Sequence, residues 1–239
     1  SFFGDTEVQV VSSANTNVAS GTFTLAYDSF DIALPGTVSA LNKATMFTTS
    51  VDLSSYLEPG DKVFVDGAYY TIDPNTASSN TDTTTGNYQI YVTEKIVASV
   101  TNADISGAAI VARSKTLPIP YDVTPLKLEE VLENQLSFGQ VHVERTVGAS
   151  VGYDWTITFL SNVGDQPTLV ANTLQLLGTD PTLQVTTSHD GVSPDNYASK
   201  VVAAGADVVT ATFDLLTSGA EYYFRVVATN AVGDGAFSG

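Results

Sequence analysis

The sequence predicts a mainly β chain: a β-sandwich carrying a small β-barrel insertion, with one α-helix packed on a sheet. Three observations lead there. Alternation of apolar and polar residues, the two-residue period of a half-buried strand, recurs along the chain, as in Gly21 to Tyr27 and Trp155 to Phe159. Two such runs are joined by a tight Asp66-Gly67 turn, a hairpin signature that rests on the positive φ glycine tolerates. Convincing helical periodicity occurs once, in the segment that follows Thr124.

Taken in order, Glu7 to Val11 reads as a strand. In Gly21 to Tyr27, Phe23, Leu25 and Tyr27 fall on the opposite face from Thr22, Thr24 and Ala26. Two antiparallel strands do not stand alone in water, so their partners must come later in the chain. Residues 37–115 have an internal logic of their own. Leu57-x-x-Gly60-Asp61-x-Val63-x-Val65-x-Gly67-x-x-Tyr70-x-Ile72 is a strand, a turn and a second strand, and Tyr88 to Val92 and Ile110 to Arg113 add others. This pattern resembles SH3-like β-barrels. The acidic residues Asp52, Glu58, Asp61, Asp66 and Asp73 around it disfavour nucleic acid and favour a spacer role.

Thr124 is placed to accept an N-terminal backbone N–H, and Pro125 suits the first helical position. Leu128, Val131, Leu132 and Leu136 then recur at helical spacing, while Lys127, Glu129, Glu130 and Glu133 are expected to face out. Gln140 to Arg145 and Trp155 to Phe159 alternate as paired strands. Trp155, Ile157 and Phe159 supply a heavy apolar face, so Trp155, Phe159, Leu128 and Leu132 are the expected helix-on-sheet core.

The series Gly21 to Tyr27, Pro118 to Leu132, Val141 to Arg145 and Gly152 to Leu169 reads G-x-F-x-L-x-Y, P-I-x-Y-D-V…L-E-x-x-L, V-x-V-x-R and G-x-x-W-x-I-T-F…G-D-x-P-x-L. It is similar to a repeat of very large modular surface proteins of algae and related protists. That resemblance implies a discontinuous repeat domain over 1–36 plus 116–180, with 37–115 inserted, and strands near 7–27 pairing with those near 140–160. It also implies a wall, scale, adhesive or flagellar-hair component.

Near the C-terminus, Leu216, Gly219, Tyr222, Phe224, Val226, Ala228 and Asn230 fall at the spacing L-x-x-G-x-x-Y-x-F-x-V-x-A-x-N. The tyrosine hydroxyl is placed to return to the backbone of the preceding turn, a tyrosine corner. The segment resembles the second half of a fibronectin type III domain, an immunoglobulin-like sandwich. Residues 181–239 are too few for a complete one. The resemblance therefore implies borrowed strands or strands donated by a neighbour, with Leu216, Gly219, Tyr222 and Phe224 as structural residues.

The net charge of −17 comes from 26 acidic and 9 basic residues, which lacks the clustered cations that DNA, RNA or an anionic membrane would require. No apolar run is long enough to span a bilayer. The chain opens Ser1-Phe2-Phe3 without initiator methionine or signal peptide and stops at Gly239 at or near an expected strand, which reads as a processed chain or a piece of a longer one. With no cysteine, disulfides and thiolate metal sites are absent.

Catalytic motifs are missing: no HExxH, P-loop, dinucleotide fingerprint or nucleophile elbow occurs. Ser188, His189 and Asp190 are adjacent in sequence and so cannot form a triad, which is assembled in space. His142, the other histidine, reads as structural. The only cofactor admitted is calcium, for which Asp190, Asp195 and Asn196 in one loop, or Asp73, Asn75 and Asp82 in another, offer hard oxygen ligands; simple solvation is the plainer reading. The sequence thus points to a non-enzymatic, extracellular structural subunit of a filament, wall or appendage whose partners are copies of itself or neighbouring repeats. The alternative is an adhesion or carbohydrate-binding module, with Tyr69, Tyr70, Tyr88 and Tyr91 stacking on sugar faces.

Overall fold

The computed structural model describes residues 4–13, 17–27, 32–75, 80–81, 86–99, 103–136, 139–148 and 152–194, with separate positions from 197 to 234. The chain opens with strands β1 (Val8–Ser12) and β2 (Asn17–Tyr27). There follow β3 (Ile32–Ala33), β4 (Val38–Ala40), β5 (Met46–Thr49), β6 (Lys62–Val65), β7 (Ala68–Thr71), β8 (Asn80–Thr81), β9 (Tyr88–Tyr91), β10 (Ile105–Ala108) and β11 (Ile110–Ala112). Then come β12 (Ile119–Pro120), helix α1 (Pro125–Gln135), β13 (Val141–Val147), β14 (Tyr153–Phe159), β15 (Leu169–Asn172), β16 (Leu176–Thr179), β17 (Gln184–His189) and the short pair β18 (Thr229–Asn230) and β19 (Gly233–Asp234). The protein is mainly β, and every ladder among the described residues is antiparallel.

One core draws on two sheets, ordered β13-β14-β1-β17 and β12-β2-β15, with β16 also on β2. The period-two pattern of β14 drives Trp155, Ile157 and Phe159 to one side, where all three are fully buried with Leu128 and Leu132 of α1. The Trp155 ring lies 5.6 Å from that of Phe23, and its Nε1–H donates to the Val123 carbonyl at 3.1 Å. Of the two N-terminal strands, β1 pairs with β14, setting Val11 opposite Trp155. Strand β2 departs from the expectation that it joins residues 140–160, and takes β12, β15 and β16 instead. Gly21 permits this: at φ 94°, a Cβ there would sit 2.2 Å from the Gln175 carbonyl oxygen, so β2 and the turn before β16 meet backbone to backbone.

The second core is assembled from residues between Ile32 and Ala112, on sheets ordered β10-β4-β5-β9-β8 and β3-β11-β6-β7. Asp66 (φ 48°) and Gly67 (φ 84°) both take positive φ, the requirement of a type I′ turn, and so hold β6 and β7 in hairpin register. Because Ile32 and Ala33 pair with β11 and Leu34 is buried here, the chain leaves the first core between Tyr27 and Ile32, ahead of residue 37. It returns where the Thr116 N–H donates to the Leu25 carbonyl at 2.8 Å and Thr116 Oγ1 accepts from the Leu25 N–H at 3.0 Å.

The two lobes meet along β2 and β15. Lys115 Nζ reaches Asp61 at 2.6 Å and Glu58 at 3.2 Å, while Asn172 Nδ2 donates to the Pro59 carbonyl at 3.0 Å and to Asp61 Oδ1 at 3.1 Å. This junction explains why Thr24 and Ala26, on the face of β2 opposite Phe23 and Leu25, are also buried.

Helix α1 differs from its sequence-based expectation in two respects. The Thr124 side chain makes no capping bond; the Thr124 carbonyl accepts from the Leu128 N–H at 3.0 Å. Glu129 and Glu133 do not simply face out. Glu133 Oε1 accepts from the Val141 N–H at 3.0 Å and Glu129 Oε1 from the Val143 N–H at 2.8 Å. Carboxylates four residues apart on a helix rise about 6 Å, which closely matches N–H groups two residues apart on a strand. Lys127 and Glu130 do face solvent, paired at 2.9 Å.

Candidate functional site

The first sheet has two edges, and they are treated differently. At β13, N–H groups that point away from β14 are taken by Glu133 and Glu129, while Arg145 Nη1 donates to the Val123 carbonyl at 2.9 Å and also to that of Asp122. Glu129 adds a contact of 3.0 Å with Nδ1 of exposed His142. A helix thereby closes that edge, one of the standard protections against unwanted pairing. Glu129→Ala should cost about 1–2 kcal/mol in chemical denaturation, because it leaves a strand N–H without its carboxylate. Glu130→Ala, which removes only a surface pair, should change stability by less than about 0.5 kcal/mol.

The other edge is β17, Gln184–His189, which among the described strands pairs with β1 alone. Register settles which groups look outward. The Ser13 N–H donates to the Tyr153 carbonyl and the Phe159 N–H to the Glu7 carbonyl, so odd-numbered residues of β1 bond to β14 and even-numbered ones to β17. Opposite Val10 and Ser12 stand Thr186 and Gln184. The backbone polar groups of Val185 and Thr187 therefore point away from the sheet. Gln-Val-Thr-Thr-Ser-His has no lysine, carboxylate or proline, the residues that commonly blunt an edge.

Three carboxylates gather at the end of this edge: Glu7 just before β1, Asp190 just after β17, and Asp165. Their ligand oxygens lie within 4.8 Å of one another, with Glu7 buried and both aspartates exposed. Glu7 is held by hydrogen bonds from Gly191 N–H (2.8 Å), Gln9 Nε2 (3.0 Å), Gln166 N–H (3.3 Å) and Thr187 Oγ1 (3.4 Å). Gln9, also buried, ties the same region by donating to the Pro167 carbonyl and accepting from the Leu169 N–H. The charge of Glu7, with burial, a hydrogen bond to Glu7 and the charge of Asp190, pushes the Asp165 carboxyl up from its ordinary value of 3.8.

Because the folded chain then holds the Asp165 proton more tightly than the unfolded one, its contribution to stability is present at low pH and is lost as pH rises above 3.8 through the raised value. Asp165→Asn should remove that loss and raise the melting temperature slightly at neutral pH, with no gain in acid. Hard oxygen ligands of this kind are what Ca²⁺ takes. Of the sequence-based calcium candidates, Asp190 belongs to this cluster. Asp73 accepts instead from the Asn75 N–H in its own turn at 2.8 Å. Asp82, Asp195 and Asn196 lie outside the described residues. Glu7 and Asp165 were not singled out from sequence; the one signal was the alternation of Glu7 and Gln9 with Val11, three inward positions of which two are polar.

The tyrosines considered for sugar stacking do not form one platform. Tyr70 is buried in the second core, edge-on to Phe47, and its hydroxyl bonds to the Val97 backbone. Tyr69 is exposed on the neighbouring position beside Phe64, and Tyr91 donates to Gln89 Oε1. Near the C-terminus the Thr217 N–H donates to the Tyr222 hydroxyl at 2.7 Å, a bond that pulls the phenol below its ordinary value, and Gly219 takes φ 84°. Leu216, Phe224 and Val226 are largely exposed, Phe224 resting on Phe213 at 5.6 Å. The strand expected at or near the end of the chain lies outside the described residues.

Among the described residues no helix is long and apolar enough to cross a membrane. Compared with protein-family models, curated proteins and solved structures, the chain has no match.

Proposed function

We propose that this chain is a non-enzymatic structural unit of an extracellular filament, wall or surface appendage, and that units join by pairing β-strands. One observation carries the reading: the contrast between the edge at β13, closed by three side chains of the helix and the strand, and the edge at β17, which carries outward backbone groups on an uncharged strand. An edge of that kind accepts an extended segment from another chain, main-chain hydrogen bonds supplying the affinity. The fibronectin-like spacing at 216–230 and the resemblance to repeats of giant surface proteins of algae and protists support the same reading. The strand donor is then a neighbouring copy or repeat.

Sedimentation velocity across a wide concentration range tests it. The expected result is a mass that grows with concentration, more strongly in salt, which screens the repulsion of a −17 chain. A monomer at every concentration and ionic strength would contradict it.

A further inference from the structure

Charge, hydrogen-bonding phase and strand length together restrict what can lie beside β17. Among the described residues, its outward backbone groups belong to Val185 and Thr187, while those of Gln184 and Thr186 are spent on β1. We propose that β17 pairs with β17 of a second copy of this chain, antiparallel about a two-fold axis at Thr186. The proposal rests on the strand-joining reading above and deepens it by naming the segment that fills the open edge and its register.

Charge sets the direction. Asp190 follows β17 directly and lies with exposed Asp165 and buried Glu7 at that end of the strand. A parallel copy would bring its own three carboxylates alongside these, one strand spacing of about 5 Å away. Antiparallel pairing about Thr186 moves the two copies of Asp190 about 26 Å apart, beyond the screening length of about 8 Å at physiological salt. The strand between them, Gln-Val-Thr-Thr-Ser-His, has no lysine, arginine or carboxylate, so two chains of charge −17 meet where each is uncharged.

Phase and length set the register. Outward groups must face outward groups, so Val185 has to stand opposite an odd-numbered residue, which puts the axis on one residue rather than between two. An axis at Thr186 opposes Gln184 to Ser188 along its length. An axis at Val185 would overlap only Gln184 to Thr186 of the strand, and one at Thr187 would draw in His189, which lies beyond the register shift of the β1–β17 ladder. With Thr186 at the centre, Val185 exchanges backbone hydrogen bonds with the second copy's Thr187, and Thr187 with its Val185. On the exposed face Thr186 meets Thr186 and Gln184 meets Ser188, side chains that can hydrogen-bond across strands. Half-buried Val185 and Thr187 fall together on the other face, where Val185 packs against the first core. Such a contact is isologous and is used up once two units have met. At the far edge of each sheet β13 is closed by α1, so the joined sheet ends there and further growth runs through other contacts.

Single cysteines read the register, since the chain has none of its own. Directly opposed residues of a non-hydrogen-bonded antiparallel pair have Cα atoms about 4.5 Å apart, within the span of a disulfide. At a concentration where sedimentation shows association, oxidised Thr186→Cys should form a covalent dimer at least about tenfold faster than Gln184→Cys, because pairing holds only the former's two thiols at high effective concentration. The two copies of residue 184 lie about 13 Å apart in this register. An equimolar mixture of Gln184→Cys and Ser188→Cys should link at a rate comparable to Thr186→Cys. Association in which Gln184→Cys alone links as fast as Thr186→Cys would overturn this pairing and leave the strand-joining reading standing with a different donor segment. Absence of association at every concentration would overturn both.

Discussion

Trp155→Ala should destabilise the first core by about 3–5 kcal/mol and lower its melting temperature by on the order of 10 °C. The indole is fully buried, with the Phe23 ring at 5.6 Å and the Tyr153 ring at 6.0 Å. Truncation removes those contacts and leaves a cavity between two sheets and a helix that cannot all close on it at once. It also takes away one of the two donors to the Val123 carbonyl, which accepts from Nε1 just before helix α1 begins. Arg145, which bonds that same carbonyl and stacks 4.3 Å above Tyr153, loses its packed surroundings too. Calorimetry should show the transition of the first core shifted and that of the second, which Trp155 does not touch, in place. A loss below about 1 kcal/mol would mean that the ring does not carry the core.

Thr187→Pro should abolish self-association while the fold survives. Proline removes one backbone donor, and at 187 that donor points away from β1, so the internal ladder keeps its bonds. The one side-chain bond lost is the long 3.4 Å contact of Oγ1 with Glu7. Thr186→Lys, on the exposed face of the same strand, should act in the same direction by placing a charge where a partner strand would lie. The converse also follows. Replacing Glu129 and Glu133 together by alanine should strip β13 of its cover and promote association through an edge that is otherwise closed. Monomer mass in dilute solution, near-ultraviolet circular dichroism and light scattering separate these outcomes from unfolding.

The elements most legible in the sequence were those whose pattern is local. Trp155, Ile157 and Phe159 alternate within one strand, Leu128 and Leu132 share one helical stripe, and Asp66-Gly67 announces its own turn; each is buried or bent as its pattern requires. Partnerships were less legible. Helical periodicity marks Glu129 and Glu133 as polar but does not say that an edge strand will come within reach of them. Alternation sets Thr24 and Ala26 on the face opposite Phe23 and Leu25, but no pattern within β2 reveals that a second lobe covers that face. The Glu7, Asp165 and Asp190 cluster joins residues far apart in the chain through the β1–β17 pairing, so no spacing rule exposes it. Phe224 and Val226 belong to the alternation Tyr222, Phe224, Val226, Ala228 expected of a sandwich strand and are largely exposed, and alternation within one strand does not say what will cover it.

Joining of units by strand pairing requires an edge at β17 that a second chain can occupy. Negative-stain electron microscopy of the purified chain at high concentration tests it most directly. Regular filaments or linear oligomers that disappear in Thr187→Pro are the expected result. Dispersed single particles of the wild-type chain under the same conditions, or filaments unchanged by Thr187→Pro and Thr186→Lys, would contradict it.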